Sequence, residues 1–226
     1  MDDTRLMRFP PSYQVIPIKT ALDWSAWNVQ NDPITEKTSA PGTGGDAAQG
    51  FAKAVEMCNN NGHCRKFDAG TMCPSYRVTR DEKHLTRGRA NTLRLALSGQ
   101  IEGMLAKDAF TSEAVHEAMD LCVGCKGCKR DCPTGVDMAK MKVEFLHHYK
   151  AKHGYNFKDK LVAFLPDYAP WASRFAPLLN LRDKIPGLAA LSEKLLGFSA
   201  RRSLPQWKTQ TFFNSGVSSA TREEVL

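Results

Sequence analysis

A run of four cysteines ending in proline constrains this chain more than any other feature. Cys122, Cys125 and Cys128 are each separated by two residues, Cys132 follows after three more, and Pro133 comes next. This is a spacing of iron–sulphur ligands, in which the first three thiolates bind one cluster and the fourth serves another. The proline ring fixes the backbone φ angle and helps to turn the fourth cysteine away. The run therefore predicts a [4Fe–4S] site.

Two other uses of closely spaced cysteines fit the run less well. Structural zinc also binds Cys-x2-Cys pairs, but it usually takes them as two separated pairs, and four cysteines within one short run are crowded for it. Disulfides are disfavoured because the seven cysteines are an odd number and the amino-terminal residues lack the apolar region of a secretory leader. We therefore expect a metal-binding protein of the reducing cytoplasm.

A second group of cysteines lies upstream and consists of Cys58, Cys64 and Cys73. Cys73 is followed by Pro74, so the Cys-Pro ending of the downstream run recurs. If the fourth cysteine of each run serves the other cluster, Cys73 completes the site formed by the first three cysteines of the downstream run. One complete four-thiolate site is therefore expected.

The same crossing rule directs Cys132 to Cys58 and Cys64, which gives a second site with only three thiolates. Three outcomes stay open for this site: a [3Fe–4S] cluster, a [4Fe–4S] cluster with a ligand other than cysteine, or no cluster. His63 and Asp68 are the nearest alternative ligands.

Composition and charge narrow the functional classes. The formal net charge is +7, but the basic residues are scattered among acidic ones and no nucleic-acid-binding signature accompanies them, so we expect no nucleic-acid partner. Lys126, Lys129 and Arg130 are expected either to offset the negative charge of a cluster or to form a solvated loop. No apolar stretch reaches the length of a membrane span, and peripheral membrane contact stays open.

The hydrophobic pattern predicts an all-α region over residues 50–155. Helices are expected from Gly50 towards Cys58 and over residues 86–98, 112–121 and 137–154, and no alternating strand pattern appears between them. The last helix carries an apolar stripe: Met138, Met141, Phe145, Leu146 and Tyr149. His147 and His148 are expected on a solvated helix face, and we assign no catalytic residue.

The flanking regions differ from this helical region. Residues 1–30 are expected to be an extended segment that lies on another part of the protein, and residues 31–49, rich in Pro, Gly, Ser and Thr, a linker. Residues 156–226 contain short amphipathic helices interrupted by prolines. We favour docking on a partner domain for these helices over binding at a membrane surface.

Two blocks carry a resemblance to a known family: CNNNGHCRKFDAGTMCPSYRVTRDEKHLTRGRANTLRLAL and LCVGCKGCKRDCPTGVDMAKMKVEFL. The region resembles the helical [4Fe–4S] ferredoxin domain of bacterial FAD-linked 2-hydroxyacid dehydrogenases, of the D-lactate, glycolate and D-2-hydroxyglutarate type. The resemblance implies that a flavin domain precedes this module, that residues 1–30 are its tail, and that a cysteine-rich domain follows. FAD would therefore bind only in the partner domain, and the chain looks like part of a longer enzyme.

The resemblance implies an electron-transfer module that passes electrons from flavin to a downstream acceptor. The alternative is a structural or interaction module whose cluster does not undergo redox turnover. Reversible reduction separates these two functions, because a structural cluster need not change its oxidation state.

Overall fold

The computed structural model describes residues 15–28, 50–67, 70–101 and 106–211, so the predicted linker at 31–49 lies outside the described residues. The chain divides at Gly154 into two compact units, residues 1–154 and 155–226. The described residues contain α-helices and 3₁₀ turns and no strand, which confirms the all-α prediction.

The first unit contains seven α-helices among its described residues. They are α1 (Gly50–Glu56), α2 (Pro74–Thr79), α3 (Thr86–Leu97), α4 (Ala106–Ala109), α5 (Glu113–Asp120), α6 (Gly127–Asp131) and α7 (Met138–His153). Short 3₁₀ turns lie at Ser25–Trp27, His63–Arg65 and Glu82–His84. The predicted starts of two helices are capped as expected. Ser112 accepts a hydrogen bond from the Val115 N–H at 3.5 Å, and Asp137 accepts one from the Lys140 N–H at 3.0 Å.

The core of this unit lies between α1, α3, α5 and α7. Fully buried apolar side chains fill it: Leu85, Leu93, Val115, Met119, Met138, Met141 and Phe145. Leu146 and Tyr149 of the predicted stripe are partly buried against this core. Cys64, Cys73 and Cys128 belong to the same core cluster, so three of the predicted ligands are anchored in packed structure.

The extended segment 15–28 packs on these helices. Trp24 is buried and contacts Phe51 edge to face at 5.0 Å between ring centroids. The Ile16 N–H donates to the Leu97 carbonyl at 2.7 Å, at the end of α3. The described part of the N-terminal region therefore lies on the helical core, and residues 1–14 are outside the described residues.

The second unit contains four α-helices among its described residues: α8 (Phe157–Ala163), α9 (Leu165–Ala172), α10 (Ala176–Leu179) and α11 (Leu188–Leu196). Pro166 lies in the first turn of α9, where its missing N–H costs little, and Pro170 lies inside the same helix. Among the described residues of this unit, the buried ones are Ala172, Ser173 and Ala176. Nowhere in the described chain is a helix long and apolar enough to span a bilayer.

Candidate iron–sulphur centre

Four of the seven cysteines line one pocket of the first unit. Its wall includes Cys73, from the upstream group, together with Cys122, Cys125 and Cys128 of the downstream run. The pocket has about 310 Å³ of space, including solvent at its mouth. Cys73 and Cys128 are buried, Cys122 is half-buried and Cys125 is exposed. The fold thus brings together cysteines that are far apart along the chain.

A close contact between two segments builds this pocket. At Gly127, the first residue of α6, a Cβ atom would lie 2.6 Å from the Thr71 Oγ1 atom, so only glycine allows this approach. The Thr71 N–H also donates to the Asp131 carboxylate at 3.0 Å. That hydrogen bond lowers the pKa of Asp131. The contact seats the loop that carries Cys73 directly on the helix that carries Cys128.

The first turn of α3 directs backbone N–H groups at two cysteines. The Thr86 N–H donates to the Cys73 sulphur at 3.1 Å, and the Thr86 Oγ1 atom lies 3.1 Å from the same sulphur. The pKa of the Cys64 thiol is raised by burial, and the Arg87 backbone N–H offsets part of this effect. A helix N-terminus carries partial positive charge and so favours thiolate sulphur.

The first turn of α7 plays the same part at Cys128. Burial raises the pKa of the Cys128 thiol, and the backbone N–H groups of Met138 and Ala139 oppose this effect. Hydrogen bonds to cysteine sulphur are one of the means by which proteins set the potential of a cluster. Both long helices of the unit therefore begin at predicted ligands.

Two cations lie at this pocket that the sequence analysis did not single out. Arg89 lines the pocket and is 2% exposed, and its Nε donates to the Ala118 carbonyl at 2.8 Å. The Lys142 ammonium donates to the Cys122 carbonyl at 2.6 Å. Burial lowers the pKa of Lys142, and the nearby Arg89 charge acts in the same direction. One buried cation, Arg89, thus lines the pocket, and a partly buried one, Lys142, contacts the backbone of Cys122.

The cations expected from the sequence are exposed instead. Lys129 lies 3.6 Å from the Asp137 carboxylate, and Arg130 lies 4.0 Å from that of Asp131. Lys126 lines the pocket with a left-handed backbone, φ 58°. Lys129 and Arg130 are therefore solvated, as in the second alternative, but they lie on α6 and not in a loop.

The second predicted site, that of Cys58, Cys64 and Cys132, is less complete than the four-cysteine pocket. Cys64 is close enough to Cys58 and Cys73 for their charges to raise its pKa further. The Cys132 sulphur lies 3.3 Å from the Thr134 Oγ1 atom. His63 is half-buried in the 3₁₀ turn that contains Cys64, and Asp68 lies outside the described residues. The three-thiolate site of Cys58, Cys64 and Cys132 stays a prediction.

The arrangement of the donors around the pocket is compatible with a cluster. Among the residues that the structure describes, no three Cys, His, Asp or Glu side chains converge closely enough to hold one metal ion. Tetrahedral zinc needs four donors that meet at one point, at about 2.3 Å for sulphur. The ligands of a [4Fe–4S] cluster bind different irons, so they surround a larger body. Four thiols around an open pocket, with N–H groups directed at the sulphurs, fit such a cluster.

The sequence analysis also did not predict a buried acid in the first unit. Glu144 is completely buried on α7 and accepts hydrogen bonds from the backbone of Ala21 at 2.7 Å and Leu22 at 2.9 Å, and from Trp24 Nε1 at 2.9 Å. His148 Nε2 lies 2.9 Å from the same carboxylate, so the solvated face expected for His147 and His148 is correct only for His147, which is exposed. Glu144 ties segment 15–28 to α7.

Comparison with known families agrees with this site. Residues 54–136 match the family described as 4Fe-4S dicluster domain. This range contains all seven cysteines and the whole pocket-forming run. The chain therefore contains a region similar to a 4Fe–4S domain.

The chain is also similar to longer curated proteins. It is 31% identical over 171 residues to the D-2-hydroxyglutarate dehydrogenase of Escherichia coli (strain K12), covering 62% of this chain and 17% of that protein. It is 31% identical over 84 residues to the probable glycolate oxidase iron-sulfur subunit of Bacillus subtilis (strain 168), covering 36% of this chain and 17% of that protein. No solved structure matches the chain. The predicted resemblance to the iron–sulphur region of this class is confirmed, and the chain spans about a sixth of the length of these relatives.

Proposed function

We propose that this chain is the iron–sulphur electron-transfer module of a FAD-linked oxidoreductase that acts on a 2-hydroxy acid. Cys73, Cys122, Cys125 and Cys128 would hold one [4Fe–4S] cluster. The observation that carries the proposal is the single pocket that these four cysteines line. The similarity to D-2-hydroxyglutarate dehydrogenases and to a glycolate oxidase iron-sulfur subunit supports the class of parent enzyme.

The residues around the pocket suit it to redox turnover. A bound cluster supplies a centre that accepts and releases one electron at a time. The N–H groups of Thr86 and Met138 favour the charged form of the sulphurs, and the buried core holds Cys73 and Cys128 in place. Cys125 is exposed, so the pocket has one edge that a partner can approach. Electrons would enter or leave at this edge.

Oxidation of the hydroxy acid belongs to a partner domain in this proposal. Removing two electrons and a proton from such a substrate needs a hydride-accepting cofactor and a positioned base. The chain has no dinucleotide-binding fingerprint, so the flavin would be bound by a domain before residue 31. Residues 50–155 would form the ferredoxin domain, and residues 156–226 would extend towards a C-terminal cysteine-rich domain. Cys58, Cys64 and Cys132 would form the second, three-thiolate site.

The test combines cluster analysis with electron transfer. We expect anaerobically purified chain to contain acid-labile sulphide and at least one [4Fe–4S] cluster, detected by electron paramagnetic resonance. Photoreduced flavin should reduce it and air-free oxidant should reoxidise it, whereas D-lactate, glycolate and D-2-hydroxyglutarate alone should leave its absorbance unchanged. Cys125→Ser should lose this cluster because one of four ligands is removed.

Cys58→Ser provides the matched control, because Cys58 is not among the residues that line the pocket. It should keep the cluster signal of the four-cysteine site. Zinc without sulphide would contradict the proposal. A cluster that cannot be reduced would favour the structural alternative, and direct reduction by a hydroxy acid would show a missed catalytic site.

A further inference from the structure

Arg89 is a buried cation at the wall of the four-cysteine pocket. It lines the pocket together with Cys73, Cys122, Cys125 and Cys128, and it is 2% exposed. A guanidinium group stays protonated in proteins, so its positive charge is permanent. The pocket therefore has a fixed charge as part of its wall.

Two hydrogen bonds fix the orientation of this side chain. The Arg89 Nε donates to the Ala118 carbonyl near the end of α5 at 2.8 Å, and Nη2 donates to the Ser75 Oγ atom at 2.9 Å. Ser75 lies two residues after Cys73 and itself donates to the His84 carbonyl at 3.0 Å. Arg89 is therefore held between α5 and a residue that lies close to the predicted ligand Cys73.

The charge of Arg89 has no acidic partner in the described part of the chain. The ion pairs between described residues involve Arg65, Lys83, Arg87, His116, Lys129, Arg130, His148, Lys152 and Arg182, and not Arg89. A carbonyl and a hydroxyl oxygen accept hydrogen bonds from its Nε and Nη2 atoms, but neither neutralises a unit charge. A buried charge without a counter-charge is strongly destabilising. An anion in the pocket would supply that counter-charge.

We infer that Arg89 is the counter-charge of the cluster in the four-cysteine pocket and raises its reduction potential. The inference rests on the proposed function, because it needs the pocket to hold a thiolate-ligated cluster, which is anionic. Reduction brings in one electron from the external donor, and no bond forms or breaks. The added negative charge is stabilised by a fixed cation nearby, so the reduced state gains more than the oxidised state. Arg89 acts on the cluster through its fixed charge and does not itself react, so it is not a catalytic residue.

The experiment measures the midpoint potential of the whole chain by anaerobic titration with dithionite, followed by electron paramagnetic resonance. Arg89→Gln removes the charge, and Arg89→Lys keeps it. Lys152→Gln removes an exposed charge that pairs with Asp108 at 2.7 Å and serves as the matched control. We expect Arg89→Gln to make reduction at least tenfold less favourable, a shift of about 59 mV to more negative potential for one electron. Arg89→Lys and Lys152→Gln should stay near the wild-type potential.

Each result decides the inference. A wild-type potential in a fully loaded Arg89→Gln variant would overturn it, and so would equal shifts in Arg89→Gln and Arg89→Lys, because geometry would then matter and charge would not. If Arg89→Gln yields no cluster, cluster content decides: retention by Arg89→Lys supports the inference, and loss by both overturns it. A wild-type chain without acid-labile sulphide would overturn the proposed function together with this inference, whereas the other results leave the proposed function intact.

Discussion

A completely buried carboxylate joins the N-terminal segment to the helical core. Burial alone would raise the pKa of Glu144, but hydrogen bonds from Trp24, Ala21, Leu22 and His148 outweigh it and hold this pKa below the usual value of a glutamate. A carboxylate with a lowered pKa stabilises the folded state at neutral pH, and the contribution is lost as the pH falls through that lowered value. Glu144 is therefore ionised and stabilising under physiological conditions.

Replacing Glu144 by Gln should release this segment. One oxygen becomes an NH₂ group, which leaves donors such as the Leu22 N–H and Trp24 Nε1 facing a donor. The cost should be about 3 kcal/mol. Hydrogen exchange at the Ala21 and Leu22 amides should then quicken by about two orders of magnitude. Glu117→Gln, which removes an exposed partner of Lys83, should leave these amides unchanged, and unchanged exchange in Glu144→Gln would refute the assignment.

The sequence predicted the grouping of the cysteines but not the buried charges of Arg89 and Glu144. The cysteine spacing predicts that Cys73 groups with three downstream cysteines, and these four side chains line one pocket. Arg89 and Glu144 were missed because charged residues are usually exposed on helices. A signal was present: Arg89 is four residues before Leu93, and Glu144 is three after Met141, so each lies on the buried face of its helix. Their partners, however, lie up to 123 residues away, which no local pattern predicts.

At the scale of elements, the site depends on the contact between α6 and the loop before α2. The positions of α1, α3, α5 and α7 were predictable from the apolar periods and from the caps at Ser112 and Asp137, whereas the short helices α2, α4 and α6 were not predicted. The approach of Thr71 to Gly127 was not predictable, because it joins segments with no shared local signal. This contact, more than any single helix, sets Cys73 beside Cys128.

Gly127→Ala should therefore disrupt the four-cysteine site. The added Cβ would meet Thr71 Oγ1 at 2.6 Å and the Thr71 backbone at 3.1 Å, so the two segments must separate. We expect a loss of most of the cluster signal and of bound iron. Gly135→Ala is the matched control, because its Cβ meets nothing within 4 Å although its φ is +65°. It should lose only about 1 kcal/mol from backbone strain and keep its cluster; equal iron content in the two variants would contradict the prediction.

At the scale of the whole molecule, the two units differ in how they bury apolar surface. The first has a core of large side chains, whereas the described part of the second buries only Ala172, Ser173 and Ala176. Its helices leave large apolar side chains exposed, among them Trp171 at 64%, Leu178 at 63% and Leu195 at 67%. Apolar surface of this kind is typical of regions that associate with another protein surface. The short amphipathic helices expected from the sequence are present, and docking on a partner stays our interpretation.

Substitution of a core leucine should therefore lower the stability of the chain, whereas substitution of exposed leucines should not. Leu93→Ala removes a fully buried side chain and should cost about 2–5 kcal/mol. Leu178→Glu with Leu195→Glu should leave the melting temperature almost unchanged and reduce binding of the dye ANS, because these side chains are exposed. Thermal melting and dye fluorescence of the cluster-loaded chain measure both effects. A loss of stability in the double variant as large as in Leu93→Ala would show that these leucines pack in a core.

The hydrogen bonds between Glu144 and segment 15–28 have a mechanical consequence for the cysteine site. Glu144 and Met138 are six residues apart on the same helix, which is about 9 Å along its axis. A helix transmits displacement along its length much as a rigid rod does. Tension on residues 15–28 would therefore reach the N–H groups of Met138 and Ala139, which face the Cys128 sulphur. The helix to which Glu144 fastens the N-terminal segment thus also carries the N–H groups that set the electronic environment of Cys128.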